Sequence, residues 1–153
     1  MKWLGLIILA LVGGVLTSER VKHLKSRAEE YSALAVCLDV VFGEIDAFSS
    51  SPPKIEESLS LRSEVGVKEH AALVSSPEKA LELPIEKADA ERVFEYFAAL
   101  GKSHRQGERE KAKTLAAYLN KKGEEERSRL DARIRAARLV YGTALACALM
   151  LAA

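Results

Sequence analysis

A chain of 153 residues suffices for one modest domain, and its 23 basic and 22 acidic residues leave it nearly neutral. A neutral domain of mixed sign gives no electrostatic ground for nucleic-acid binding. The placement of the charges says more than their balance. Every acidic residue, and every basic one except Lys2, lies within 18–138, so a charged middle separates two apolar ends.

The first predicted element is the uncharged run 3–17, WLGLIILALVGGVLT. As a helix it measures ~23 Å, short of the ~30 Å hydrocarbon core, and snorkelling of Lys2 and Arg20 or local thinning would close the gap. Trp3 is expected at the interface. The alternative is a cleaved signal peptide, with Lys2 as a thin n-region. No A-x-A site follows, however, and Arg20, Lys22, Lys25 and Arg27 come next, which resists translocation and favours an uncleaved anchor.

Val21, Leu24, Ala28, Tyr31, Ala35, Leu38, Phe42 and Ile45 then alternate by three and four, predicting an amphipathic helix continuous with the anchor. Ala33, Leu34, Val36, Val40 and Val41 widen its apolar face, as burial inside a bundle requires. Ser49-Ser50-Ser51-Pro52-Pro53 ends the helix, and Ser51 followed by prolines opens a short one over 54–62 with Ile55 and Leu59 inward. Residues 62–88, broken by Gly66, Pro77 and Pro84, predict two short helical pieces, 68–74 and 77–83, the second capped at Ser76. A helix over 88–100 follows, capped by Asp89, with Val93, Phe94, Phe97 and Leu100 buried and Gly101 at C′. Ser103 is expected to cap one long last helix, whose Ala112, Leu115, Ala116 and Leu119 face the core.

The polar stretch 120–129 is expected to project from the bundle. Leu130, Ile134, Ala137 and Tyr141 resume the stripe, in position to meet Val21 and Leu24. The uncharged run 139–153 closes the chain, preceded by Arg127, Arg129, Arg133, Arg135 and Arg138. Basic clusters on the inner side of both runs place the middle in the cytoplasm by the positive-inside rule. The expected architecture is therefore all-α: an N-terminal transmembrane helix (1–18), a cytoplasmic helical bundle (19–138) and a C-terminal transmembrane helix (139–153).

Chemistry-bearing motifs are sparse. Cys37 sits in an apolar stripe and Cys147 in the terminal run, an implausible disulfide pair, and there is no CxxC. His23, His70 and His104 lack metal-ligating partners at helical spacing, and His104 with Glu108 reads as a helix-surface pair. Gly101-Lys102-Ser103 resembles the tail of a P-loop, but Tyr96 stands where its first glycine belongs. Glu124-Glu125-Glu126 reads as a solvated face. No catalytic, cofactor-binding or metal-ligating residue is expected, no cofactor, and no enzymatic activity.

The helix containing Gly43-Glu44-Ile45, the proline turn after it, Leu100-Gly101-Lys102-Ser103 followed by Arg105, Gly107 and Lys111, and an anchor at each end together resemble stage III sporulation protein AB of endospore-forming bacteria. The family motif begins LGxSDREGQ; here His104, Gln106 and Glu108 replace its Asp, Glu and Gln, as in a divergent member. The resemblance implies a helical bundle similar to the cytoplasmic domains of the inner-membrane platform protein of type II secretion and type IV pilus machines. It implies a place in the outer forespore membrane, with the bundle in the mother-cell cytoplasm. The implied partners are a secretion-type ATPase, stage III sporulation protein AA, and other components of a channel linking mother cell and forespore. Apart from that resemblance, the residues are equally those of a membrane-tethered helical scaffold unrelated to sporulation.

Overall fold

The computed structural model describes the backbone of residues 2–48, 51–64 and 66–152, and the side chains of 18–45 other than Arg20, 51–64, 66–137, 139, 140 and 143. Among the described residues the protein is all-helical: α1 (Lys2–Phe48), α2 (Pro52–Leu61), α3 (Val67–His70), 3-10 turns at Ala71–Leu73 and Pro77–Glu82, α4 (Lys87–Ala99) and α5 (Arg105–Ala152). Two compact units divide the chain. One is Arg27–Glu124; the other joins Met1–Ser26 to Glu125–Ala153.

The Arg27–Glu124 unit is a helical bundle whose core follows the three-four stripe of α1. Ala28, Tyr31, Ala35, Leu38 and Ile45 are buried, and Leu34, Cys37 and Val41 widen the stripe into a face. Against it pack Ile55 and Leu59 of α2, Val93 and Phe97 of α4, and Ala112, Ala116 and Leu119 of α5. Each fully buried Leu, Ile or Val contributes about 1.5–3 kcal/mol relative to exposure, which sustains the fold without a disulfide. Cys37 is a free thiol in this core, and burial pushes its pKa up to about 12, so it stays protonated.

Several local expectations are corrected. Ser51 opens α2 as its N-cap, but through its carbonyl, which takes Lys54 and Ile55 N–H; its hydroxyl makes no capping bond. The 68–74 piece is one α-turn, Val67–His70, tightening into a 3-10 turn, and the 77–83 piece is wholly 3-10. Gly66 sits before them at φ 88°, and a Cβ there would overlap Ala33 Cβ on α1, so both backbone conformation and close approach demand glycine. Gly101, at φ 80°, follows α4 as the left-handed residue expected there.

Of the stretch expected to project, residues 120–124 belong to the bundle, and 125–129 belong to the other unit. Gly123 is buried where α5 crosses α1: a Cβ on it would lie 3.3 Å from Tyr31 Cβ and from Ser32 Oγ. The absent side chain lets the two helices approach. In the other unit Glu126 is buried, and its carboxylate takes Arg129 at 2.9 Å, so the Glu124-Glu125-Glu126 run is not uniformly solvated.

In the other unit, Val21 and Leu24 of α1 and Leu130, Ile134 and Ala137 of α5 are half-buried between exposed neighbours, the pattern of a narrow apolar seam. Thr143 Oγ1 returns its hydrogen bond to the α5 backbone, at 3.0 Å from both the Leu139 and Val140 carbonyls. Among the described residues, no helix is long and apolar enough to cross a membrane. The side chains of 3–17, of Tyr141 and Cys147, and of most of 139–153, on which the transmembrane expectations fall, lie outside the described residues, as do Ser49 and Ser50.

Candidate functional site

The charged groups that the bundle buries define its polar architecture, and Asp89 of α4 is the one tied to helices on both sides of it in sequence. Asp89 is 1 % exposed in the first turn of α4. It is not the helix cap: Glu86 holds that position, without a side-chain capping bond. Instead Asp89 turns inward. Tyr31 of α1 donates its hydroxyl to Asp89 Oδ2 at 2.7 Å, and Tyr118 of α5 donates to Oδ1 at 2.7 Å. The Tyr31 oxygen also accepts the Glu86 N–H at 3.1 Å, which satisfies one of the backbone donors that a helix start leaves open. Burial, and then the bond to Asp89, push the Tyr31 phenol up to about 12, so it remains a donor.

Glu86 extends the network outward. Its carboxylate lies 3.4 Å from Arg27 of α1 and 3.1 Å from Lys122 of α5, and the Lys122 ammonium is held protonated mainly by that bond. Arg92 stacks over the Tyr118 ring, 4.7 Å from its centroid. Three helices distant in sequence are thus tied at one level by groups that all have partners.

The start of α5 is built differently. The helix begins at Arg105, so Ser103 lies before the cap and His104 occupies it. His104 Nδ1 accepts the Gln106 N–H at 3.3 Å, the bond that an aspartate there would take through its carboxylate. Glu108 does not pair with His104. It is 2 % exposed and reaches back, its Oε1 accepting the Ser103 N–H at 3.0 Å and the Ser103 hydroxyl at 3.3 Å. That is the logic of a capping box, displaced by one residue.

Beside this turn lies a groove of about 700 Å³ between α4 and α5. Leu100, Ser103, Gly107 and Lys111, four residues of the sequence motif, line it together with Tyr96, Ala99, Glu108 and Leu115. Arg105 and Lys102, also in the motif stretch, are exposed and take no part in its lining. Glu108 Oε2 and the Tyr96 hydroxyl are both buried without a hydrogen-bond partner. Burial first, and then the charge of Glu108, drive the Tyr96 phenol well above its ordinary range, so it stays neutral. Its ring meets Phe97 edge-on, with centroids 5.3 Å apart, which fixes its position.

Of the motif residues on α1, two serve the bundle. Ile45 is core, and Glu44 is buried and bonded at 2.8 Å to Arg62 beyond α2. Gly43 is exposed with open space around it. His70 is buried between two acceptors, Nδ1 on the Gly66 carbonyl and Nε2 at 2.6 Å from Glu30 Oε1. Both contacts require a proton, so the doubly protonated ring fits the site. Burial opposes that charge, but the bonds to Glu30 and Gly66 outweigh it and raise the His70 pKa. Among the described residues no group of three or more His, Cys, Asp or Glu side chains is placed to hold a metal ion.

Sequence reasoning named Tyr96 only as a break in a P-loop pattern and Glu108 only as a helix-surface partner of His104, and placed neither in a groove. The signal available for Glu108 was its position five residues after Ser103 at a helix start; for Tyr96 it was an aromatic next to the expected buried Phe97. No family model matches the chain, and no curated protein and no solved structure matches it either.

Proposed function

We propose that the chain is a membrane-anchored platform component of the stage III sporulation protein AB type, coupling a cytosolic secretion-type ATPase to a channel between mother cell and forespore. Its work on this reading is holding and relaying, with no bond-making step. The layout supports it: a compact helical bundle, Arg27–Glu124, whose first and last helices each continue toward a chain end bearing a fifteen-residue uncharged run. The bundle would face the mother-cell cytoplasm from the outer forespore membrane, with both runs in the bilayer and no nucleic acid involved.

The observation that carries the reading is the start of α5. The motif departures His104 and Glu108 both keep a capping role, one accepting from Gln106 N–H and the other from Ser103, so the altered residues still make a defined helix entry beside a groove. The test has two arms. Reporters fused at each terminus should be shielded from protease applied on the cytosolic side, and the full chain in detergent should co-purify with the stage III sporulation protein AA-type ATPase of the same genome. Membrane retention without ATPase binding by the folded chain would favour a tethered helical scaffold outside sporulation. Loss of both would defeat the platform reading.

A further inference from the structure

We infer that the α4–α5 groove is a docking site for a partner polypeptide that inserts an arginine or lysine, carried on an otherwise apolar segment, against Glu108. The inference stands on the groove itself and does not need the membrane or sporulation reading. A carboxylate 2 % exposed, with one oxygen bonded to Ser103 and the other without a partner, is a costly arrangement for a bundle to keep. Asp89, elsewhere in the bundle, shows that this protein can satisfy a buried acid completely. The second oxygen of Glu108 calls for a donor, and a charged donor is worth most in a site shielded from water.

The chemistry of the walls selects the rest of the ligand. Tyr96, Ala99, Leu100 and Leu115 offer apolar surface, while the buried Tyr96 hydroxyl is a second polar atom without a partner. A guanidinium presents several donors in one plane and is weakly hydrated, so it can bond Glu108 Oε2 and also offer a proton to the Tyr96 oxygen. An ammonium would satisfy Glu108 as a point charge. The lining also contains Arg92 and Lys111 beside Glu95 and Glu110, two of each sign. Such a rim attracts no simple ion strongly, but it can set the register of a polypeptide with matching charges. Charge complementarity at a single buried point, surrounded by apolar wall and a mixed rim, describes an anchor residue in a peptide groove.

The test is selection of peptides from a random phage-displayed library on the full chain, held in detergent. Selected peptides should centre on Arg or Lys flanked by apolar residues. The best of them, made synthetically, should lose at least tenfold in affinity when that arginine is replaced by citrulline, which keeps the shape and removes the charge. Glu108→Gln, which retains an oxygen for Ser103, should abolish the preference for arginine over citrulline. Ala99→Trp, which fills the wall and leaves Glu108 intact, should weaken both peptides. Circular dichroism and urea midpoints verify that each variant is folded. The proposal is overturned if the selected peptides lack a basic residue, if no peptide binds, or if Ala99→Trp leaves binding unchanged. It is equally overturned if arginine amide alone displaces the peptides at comparable concentration, which would make the groove a small-cation site.

Discussion

Asp89 and Glu108 are acids of nearly equal burial, 1 % and 2 % exposed, in one helical bundle, yet their surroundings differ in kind. Asp89 has a phenol hydroxyl on each oxygen, from helices on either side of it in sequence. Glu108 has its neighbouring serine on one oxygen and no partner on the other. A buried charge that is fully bonded fixes how helices assemble; one that is half bonded costs stability and persists where something else is gained. The contrast separates a structural centre from a candidate recognition point within the same pair of helices.

The largest effect should come from breaking the satisfied centre. Asp89→Ala strands the Tyr31 and Tyr118 hydroxyls and removes the tie among α1, α4 and α5. A loss of about 3 kcal/mol in urea unfolding is expected, at the upper end for a broken buried network. Asp89→Asn, which keeps an acceptor and the shape, should lose less. A loss below about 1 kcal/mol for the alanine variant would show that Asp89 is not an organising group.

That centre was invisible in the sequence for a physical reason. An aspartate two residues into a helix is the ordinary signature of a cap, and local rules assign it there; its real partners lie 58 and 29 residues away. The α1 stripe was legible because periodicity reports burial directly, and Ile55, Leu59 and Gly101 were legible for similarly local reasons. The helix crossing at Gly123 was not, since a glycine among charged residues carries no hydropathy signal and its role is to be small. The α5 entry was misplaced by one residue, because Ser103 is the stronger cap by propensity while His104 takes the position and Glu108 binds the serine instead.

Gly66→Ala comes next. The substitution forces a left-handed residue with a Cβ against Ala33, and it displaces the carbonyl that holds His70 Nδ1. About 2 kcal/mol is expected, from backbone strain of ~1–2 kcal/mol with overpacking added. The urea midpoint should fall while the helical signal at low denaturant stays. An unchanged midpoint would mean that the α3 turn moves freely off α1.

His70 sharpens the comparison as a third buried ionisable group, of the satisfied kind. Its folded pKa is raised above the unfolded 6.5, because the bonds to Glu30 and Gly66 overcome the opposing effect of burial. Glu69 also acts on it in the same direction. The sign follows: its contribution is fully present below pH 6.5 and is lost as pH rises through the raised folded value. The loss should be on the order of 1–2 kcal/mol, the worth of a hydrogen bond to a charged group. Glu30→Gln should flatten the profile. A wild-type midpoint that rises with pH across that window, in a manner Glu30→Gln abolishes, would contradict the assignment.

The smallest effect is expected at Glu108, and its smallness is the point. Glu108→Gln keeps an oxygen for the Ser103 N–H and hydroxyl and removes a buried charge that has an unbonded oxygen, so gain and loss nearly cancel. The unfolding free energy from urea titration should change by no more than about 0.5 kcal/mol, in either direction, against the several-fold larger cost at Asp89. If the protein loses as much stability at Glu108 as at Asp89, the carboxylate is bonded within the bundle in solution and both acids are structural. If it loses nothing while the variant stops distinguishing arginine from citrulline, then the energy stored in that half-bonded acid is retained for what enters the groove, and the bundle's own folding has no use for it.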